Sequence, residues 1–411
     1  MNNFDDITTI TTTENGAFAH STTKVVETDN GEILDLFINL IRGYDKEVIY
    51  SKLFNCWKSN PTNTLKLIYQ TRDPRNGKGE RDLTYHMLGW LKTNKPLTYE
   101  KNIKNICSLY GRFEDLLNMY RIHKNHTIEL QILANQLQED LINLNLNKSV
   151  SLAAKWAPSE KSYYSEEAHK IAKLLYPGDK KALEKYRKSL TLLRKNLNIP
   201  EVSMCTNKWD EINYTTVPSQ AILRYGKNRS LVQNQGKSQK GYQKGAFLRH
   251  DETRFSEYLA NVKAGKDKIN TSGLQPHQLV TKYLREDGDI DETIEMQWRT
   301  MVEQLGKFNS NVLSVVDVSG SMSSATGKSP NSPRAVDVAI SLGLITAALS
   351  CGPYKDTAIT FSSSPKVIKL NQATLCEKVK NLEHADWGMS TNLEAVFELI
   401  LNIAKLNDVL P

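Results

Sequence analysis

Apolar residues in the first three quarters of the chain recur every three or four positions, the period of helices with one buried face. Ile33, Leu34, Leu36, Phe37, Leu40 and Ile41 form one such stripe, and residues 83–91, 128–144 and 180–197 predict further helices. Breakers sit between the stripes: Asn60-Pro61, Asp73-Pro74, Asn76-Gly77, Lys95-Pro96, Pro177-Gly178 and Ile199-Pro200. Short helices joined by short turns predict a HEAT-like solenoid or an irregular bundle over residues 31–305, without a clean internal repeat. Within it, residues 201–305 are less regular, with helices expected at 254–263, 276–284 and 294–305. After Gly306 the pattern changes. A continuous apolar run at 312–316 predicts a buried strand, followed by a helix at 335–349, strands at 357–361 and 366–370, and helices at 373–383 and 393–406. Strands alternating with helices predict a mainly parallel, doubly wound sheet, so the fold class is α followed by α/β. Residues 1–30, rich in Thr, Asn and Asp, predict a disordered tail.

Composition narrows the setting more than the job. The 411 residues suffice for two or more domains, and 39% hydrophobic with 24% charged residues is ordinary for a soluble globular protein. A formal charge of +7 suits nucleic acid or another acidic partner, and equally suits a solvated surface. The five cysteines lie far apart without a CxxC pair, which predicts reduced thiols and an intracellular protein. No run approaches the roughly 18 apolar residues of a membrane span, and the N-terminus lacks the regions of a signal peptide. A cytoplasmic location without a membrane partner is expected, in the host cytoplasm if the protein is viral.

Candidate chemistry concentrates in Asp317-Val-Ser-Gly-Ser-Met322, directly after the apolar strand. Asp317, Ser319 and Ser321 offer one carboxylate and two hydroxyls, hard oxygens of the kind that Mg2+ takes in octahedral geometry. The carboxyl end of a strand is where open α/β sheets bind ligands. Gly320 is expected to let the loop turn so that both hydroxyls face one point. A second oxygen-rich loop, Ser390-Thr391-Asn392, either adds the Thr391 hydroxyl or simply caps the helix that follows.

Asp317-x-Ser319-x-Ser321, with Thr391, resembles the metal-ion-dependent adhesion site of von Willebrand factor A domains, which have a Rossmann-like fold. The resemblance implies Mg2+ or Mn2+ on these residues, with an acidic group of a protein partner completing the shell. That family also uses an Asp after the next core strand. Its place would lie beyond Leu410, so residues 306–411 are expected to be a C-terminally truncated domain with weakened metal affinity. The blocks beginning at Thr71, Ser272 and Asp386 resemble an uncharacterised family of plants, fungi and large DNA viruses, over residues 35–411. That family joins a helical region to a C-terminal von Willebrand factor A domain. The layout is similar to Ro (TROVE) ribonucleoproteins, which implies RNA on the helical region.

Two basic segments are candidates for that contact. Arg72, Arg75, Lys78 and Arg81 share a glycine-bearing loop, which either approaches phosphates or is a turn with solvated charges. Residues 221–250 hold Arg224, Lys227, Arg229, Lys237, Lys240 and Lys244 without an acidic residue, and Tyr225, Tyr242 and Phe247 could stack bases. The same segment could be a linker. Arg187, Lys188, Arg194 and Lys195 either extend one basic face or are the wet side of their helix. The eight histidines form no HExxH pair, and Ser319 lacks a G-x-S-x-G elbow, so no enzyme is expected. The sequence therefore reads as an RNA-binding scaffold, or alternatively as a metal-dependent protein-interaction module.

Overall fold

A computed structural model describes residues 31–40, 44–122, 127–226, 245–285, 290–326, 332–362, 364–385 and 392–406. The expected tail lies outside them. The described chain is mostly helical, with a small three-stranded mixed sheet near its C-terminal end.

Local signals set the helices. Asn60 closes the helix Lys46–Ser59 and opens Pro61–Arg72: its side-chain oxygen accepts from the Asn63 N–H at 2.9 Å. Pro61 fills the first helical position, where the absent N–H costs nothing. Pro96 and Pro200 likewise begin the helices Pro96–Asn102 and Pro200–Cys205. Three pairs read as connectors are thus helix starts. The expected helices appear as Asp82–Asn94, Ile128–Asn145 and Ala182–Asn196, joined by Phe113–Ile122 and Ser165–Leu175, which the periodicity did not reveal. Successive helices pack on their neighbours around one core that runs from Leu36 to Leu193. A second, aromatic core follows, where the Tyr214 ring lies 4.9 Å from Phe255 and 5.1 Å from Phe247.

The sheet has the order β1 (Ser314–Val316), β2 (Thr357–Thr360), β3 (Val367–Lys369). Strand β1 runs parallel to β2, with Ser314 opposite Ala358 and Val316 opposite Thr360. Strand β3 runs antiparallel to β2, with Ile359 opposite Val367, so the sheet is mixed where a mainly parallel one was expected. The connection explains it. Residues 361–366 are too few for a crossover, which needs a dozen or more residues, and suffice only for a hairpin. The helix Ala335–Leu349 links β1 to β2 and lies so close to the sheet that a Cβ on Gly343 would fall 2.4 Å from Cγ2 of Val316.

The core of this region does not stop at residue 306. Leu279, Val280, Tyr283 and Trp298, from the helices Pro276–Arg285 and Glu292–Leu305, share it with Val316, Ile340 and Ala358. Glu295 adds a polar link: its two carboxylate oxygens accept from the N–H groups of Leu375 (2.7 Å) and Cys376 (3.1 Å), at the start of the helix Leu375–Glu383. A helix N-terminus is thereby capped from the preceding region.

Gly343→Ala should lower the urea midpoint by the equivalent of about 1–3 kcal/mol, the usual cost of overpacking. Combining it with Val316→Ala should recover part of that loss, a coupling that a double-mutant cycle on urea melts measures directly.

Candidate functional site

The loop after β1 brings its three predicted oxygens together. The carboxylate of Asp317 accepts from the Ser319 N–H at 2.9 Å, and the hydroxyls of Ser319 and Ser321 lie 3.1 Å apart. Asp317 is half-buried, Ser319 buried and Ser321 exposed, so the group opens to solvent on one side. Gly320 does not make the turn as expected. Its φ is not positive and a Cβ there would meet nothing within 4 Å; a 3-10 turn over Gly320–Ser323 carries the reversal instead. Strand β2 ends beside this loop, since the Phe361 N–H donates to the Val316 carbonyl at 2.9 Å. Immediately before the helix Leu393–Leu406, the chain returns to the same edge: the Asn392 N–H reaches the Ser362 carbonyl at 3.3 Å. Thr391 itself lies outside the described residues. Among those residues no three His, Cys, Asp or Glu gather into a metal cluster, so any cation here relies on one carboxylate and hydroxyls.

Behind the loop, Asp337 is fully buried at the start of the helix Ala335–Leu349. Arg334 donates to it at 2.8 and 3.0 Å, and Arg285 reaches it from the helix Pro276–Arg285 at 2.5 Å. Burial works against the charged form, but the Arg334 side chain and backbone, with Arg285, outweigh it and hold the carboxyl below its ordinary range.

The basic loop at 72–81 is a structural turn at most of its positions, and two predicted phosphate contacts are corrected. Arg72 is 2% exposed and forms a forked pair with Asp115 at 3.0 and 3.2 Å. Tyr85 and the Arg112 N–H complete the Asp115 shell at 2.5 and 2.7 Å. Lys78 donates to the carbonyls of Phe37 and Leu40 and lies 4.2 Å over the Phe37 ring, closing the C-terminus of the helix Glu32–Asn39. Burial lowers its pKa. Gly77 serves the same folding-back, because a Cβ there would fall 1.8 Å from the Gln70 carbonyl oxygen. Arg75 remains exposed, and Arg81 lies 3.8 Å from Glu114.

In the second basic segment Arg224 is exposed, but Tyr225 is 5% and Phe247 0% exposed, with their rings 5.6 Å apart in the aromatic core. They are corrected from base-stacking surfaces to core residues: their neighbours already cover both rings. Lys227, Arg229, Lys237, Lys240, Tyr242 and Lys244 lie outside the described residues. Sequence reading passed over a different set, in which Arg121 lies over Tyr163 and Arg112 over Trp156. The signal was the repeated basic-aromatic adjacency of Lys155-Trp156 and Lys161-Ser-Tyr-Tyr164.

Comparison with known proteins adds the family. Residues 13–129 and 120–310 match the family described as Domain of unknown function (DUF2828), and residues 311–411 match Domain of unknown function (DUF7788). The chain belongs to the DUF2828 family. Over 413 residues it is 34% identical to Uncharacterized protein L728 of Acanthamoeba polyphaga mimivirus, covering 95% of this chain and 69% of that protein. A viral relative therefore accompanies this DUF2828 chain, as the resemblance implied. No solved structure matches it. Among the described residues of this DUF2828 protein, no helix is long and apolar enough to cross a membrane. All five cysteines are free, and burial pushes the Cys56 and Cys107 thiols up to about 11 and about 12, which keeps them protonated at neutral pH.

Arg72→Ala should strand a buried Asp115 charge and destabilise the protein by about 3–5 kcal/mol in urea melts. Arg75→Ala, three residues away in the same loop, should leave the melt nearly unchanged. The depressed Asp337 carboxyl contributes stability that is fully present above the ordinary carboxylate pKa of about 4 and is lost as pH falls through its lower folded value. Asp337→Asn should therefore flatten the acid limb of a stability–pH curve measured by urea melts.

Proposed function

We propose that this chain is a non-enzymatic scaffold that holds RNA on its helical region. Placement of charge carries the reading. Residues 148–195 hold twelve Lys and Arg against five Asp and Glu, and the rest of the chain has 41 of each sign, so the whole net charge of +7 resides on this segment. Lys185, Arg187 and Lys188 stand out from its helix Ala182–Asn196 with side chains 53%, 62% and 74% exposed. Their acidic neighbours form surface ion pairs, which are worth little in water and give way to a polyanion. Phosphates gathered there release counterions, which drives binding without sequence readout. The resemblance of the sequence layout to Ro ribonucleoproteins supports the same reading. Affinity of the full chain for an RNA with a stem and a single-stranded end should fall steeply with salt, with a log–log slope of several units in fluorescence anisotropy. A flat dependence, or no binding at low salt, would refute the proposal.

A second reading rests on the convergence of Asp317, Ser319 and Ser321. The carboxylate and adjacent hydroxyls fit Mg2+ or Mn2+ with water filling the remaining positions, and the sequence pattern adds Thr391 as a further oxygen donor. A cation there would supply an electrophilic point for an acidic side chain of a protein partner. Isothermal titration with Mn2+ should give saturable heat that Asp317→Ala abolishes, while the variant keeps its RNA affinity. Unchanged heat in the variant would remove the site.

A further inference from the structure

We infer that residues 153–164, with the flanking helices Phe113–Ile122 and Ala182–Asn196, form a site for single-stranded RNA: Trp156 and Tyr163 stack unpaired bases, and the cleft beside Arg187 takes the backbone. This rests on the RNA reading above and specifies where, and in which form, the RNA is held.

The short helix Ala153–Trp156 leads into a turn that ends at the helix Ser165–Leu175, and two arginines clasp that turn. Arg194 donates to the carbonyls of Ala154 (2.8 Å) and Ala157 (2.6 Å) and to the Ser159 hydroxyl (3.0 Å). Arg121 donates to the Tyr163 carbonyl (2.7 Å) and grips the buried Glu167 through a fork of 2.6 and 3.0 Å. Fixed at both ends, the turn presents Tyr163 outward, while Trp156 and Tyr164 pack partly against the core and keep part of their rings open. Tyr163 is 80% exposed, although the Arg121 guanidinium lies only 4.0 Å from its ring centre. Tyr164 meets that ring edge-on at 5.0 Å. One face of Tyr163 is thus backed by a cation while most of the ring stays in water. Such a ring adds nothing to the core, but it is held in place, so stacking a base on it costs little ordering entropy. Trp156 is half-buried, with Arg112 at 5.2 Å and Lys155 at 5.9 Å from its ring.

The spacing favours one strand over one base. Arg112 and Arg121 are nine residues apart along or next to one helix, roughly 13 Å at about 1.5 Å per residue, so the rings they contact serve different bases. Beside the turn lies a cleft of ≈ 240 Å³ with Ser159, Lys161, Arg187 and Thr191 around a floor that includes Tyr186 and Leu190. Glu160 sits in the same wall and pairs with Arg187 at 3.3 Å, an exposed pair that a phosphate can replace. A polar, basic rim over an apolar floor suits a ribose-phosphate stretch. In a duplex the bases are already stacked on each other and out of reach of Tyr163, so the surface discriminates against paired RNA.

The test uses the full chain and a fluorescent, unstructured RNA of about twelve nucleotides, a length within the range of single-strand sites. Tyr163→Ala should weaken binding roughly tenfold or more without changing the salt slope, and Tyr163→Phe should retain wild-type affinity. The double variant Arg187→Glu, Lys188→Glu should weaken binding and lower the salt slope by about two. Lys66→Glu, exposed on the helix Pro61–Arg72, should bind nearly as the wild type does. The duplex form of the same RNA should bind at least roughly tenfold more weakly than the single strand. If the wild type binds the strand while Tyr163→Ala and the double variant bind equally well, this site is overturned and the RNA reading stands. Equal affinity for the duplex, or for polyglutamate, would also overturn it. No binding of any RNA by the wild type would overturn both.

Discussion

Buried carboxylates order this molecule. Asp115, Glu129, Glu167 and Asp337 are all 2% exposed or less, and a carboxylate so placed keeps its charge only beside a cation and its hydrogen bonds. Arg72 answers Asp115, Lys92 answers Glu129, and Arg121 answers Glu167, across separations of 43, 37 and 46 residues. Each pair therefore joins helices that are not adjacent in sequence. Apolar packing alone tolerates sliding and exchange of similar side chains, whereas a forked guanidinium–carboxylate contact has one geometry. The stacking order of the helical region is set by these pairs as much as by its oily core.

The same requirement sorts the basic residues by availability. A cation committed to a buried acid cannot also neutralise a phosphate without leaving that acid unpaired. Arg72 and Lys92 belong to the interior on this ground, and Arg334 to the sheet region. Arg121 stands between the two classes, since its nitrogens hold Glu167 and its flat face carries Tyr163. Lys185, Arg187 and Lys188, which are exposed and whose partners are only half-buried, form the surplus that faces outward.

Legibility of the chain followed the locality of its signals. The helices Ala335–Leu349 and Leu393–Leu406 lie where their long apolar runs and flanking polar residues put them. The helix Lys46–Ser59 was hidden because it buries only Ile49, Leu53 and Cys56, a sparse stripe among Lys, Asn and Ser. The antiparallel β3 was readable in principle from its six-residue connection. Arg72 and Arg75 were not distinguishable, being alike in sequence and three residues apart, because what separates them is Asp115 on another helix. The oxygen loop after β1 was found from sequence alone, since its three side chains are close in the chain as well as in space. The charged surface at 148–195 was read only in part, through Arg187, Lys188, Arg194 and Lys195: its other basic residues are diluted by apolar ones on the same helices, and only summing charge by segment brings them out.

Glu295 carries a consequence for how the two matched regions relate. It belongs to the DUF2828 match, yet it terminates a helix that belongs to the DUF7788 match, and Trp298 beside it lines the core under the sheet. The boundary at residue 310 thus divides the two family matches but not the packed core, which runs across it. A segment cut there would lose a helix cap and bare the apolar face that Leu279, Val280 and Trp298 cover. The sheet region in this sense leans on the helices before it for both its core and one of its helix caps.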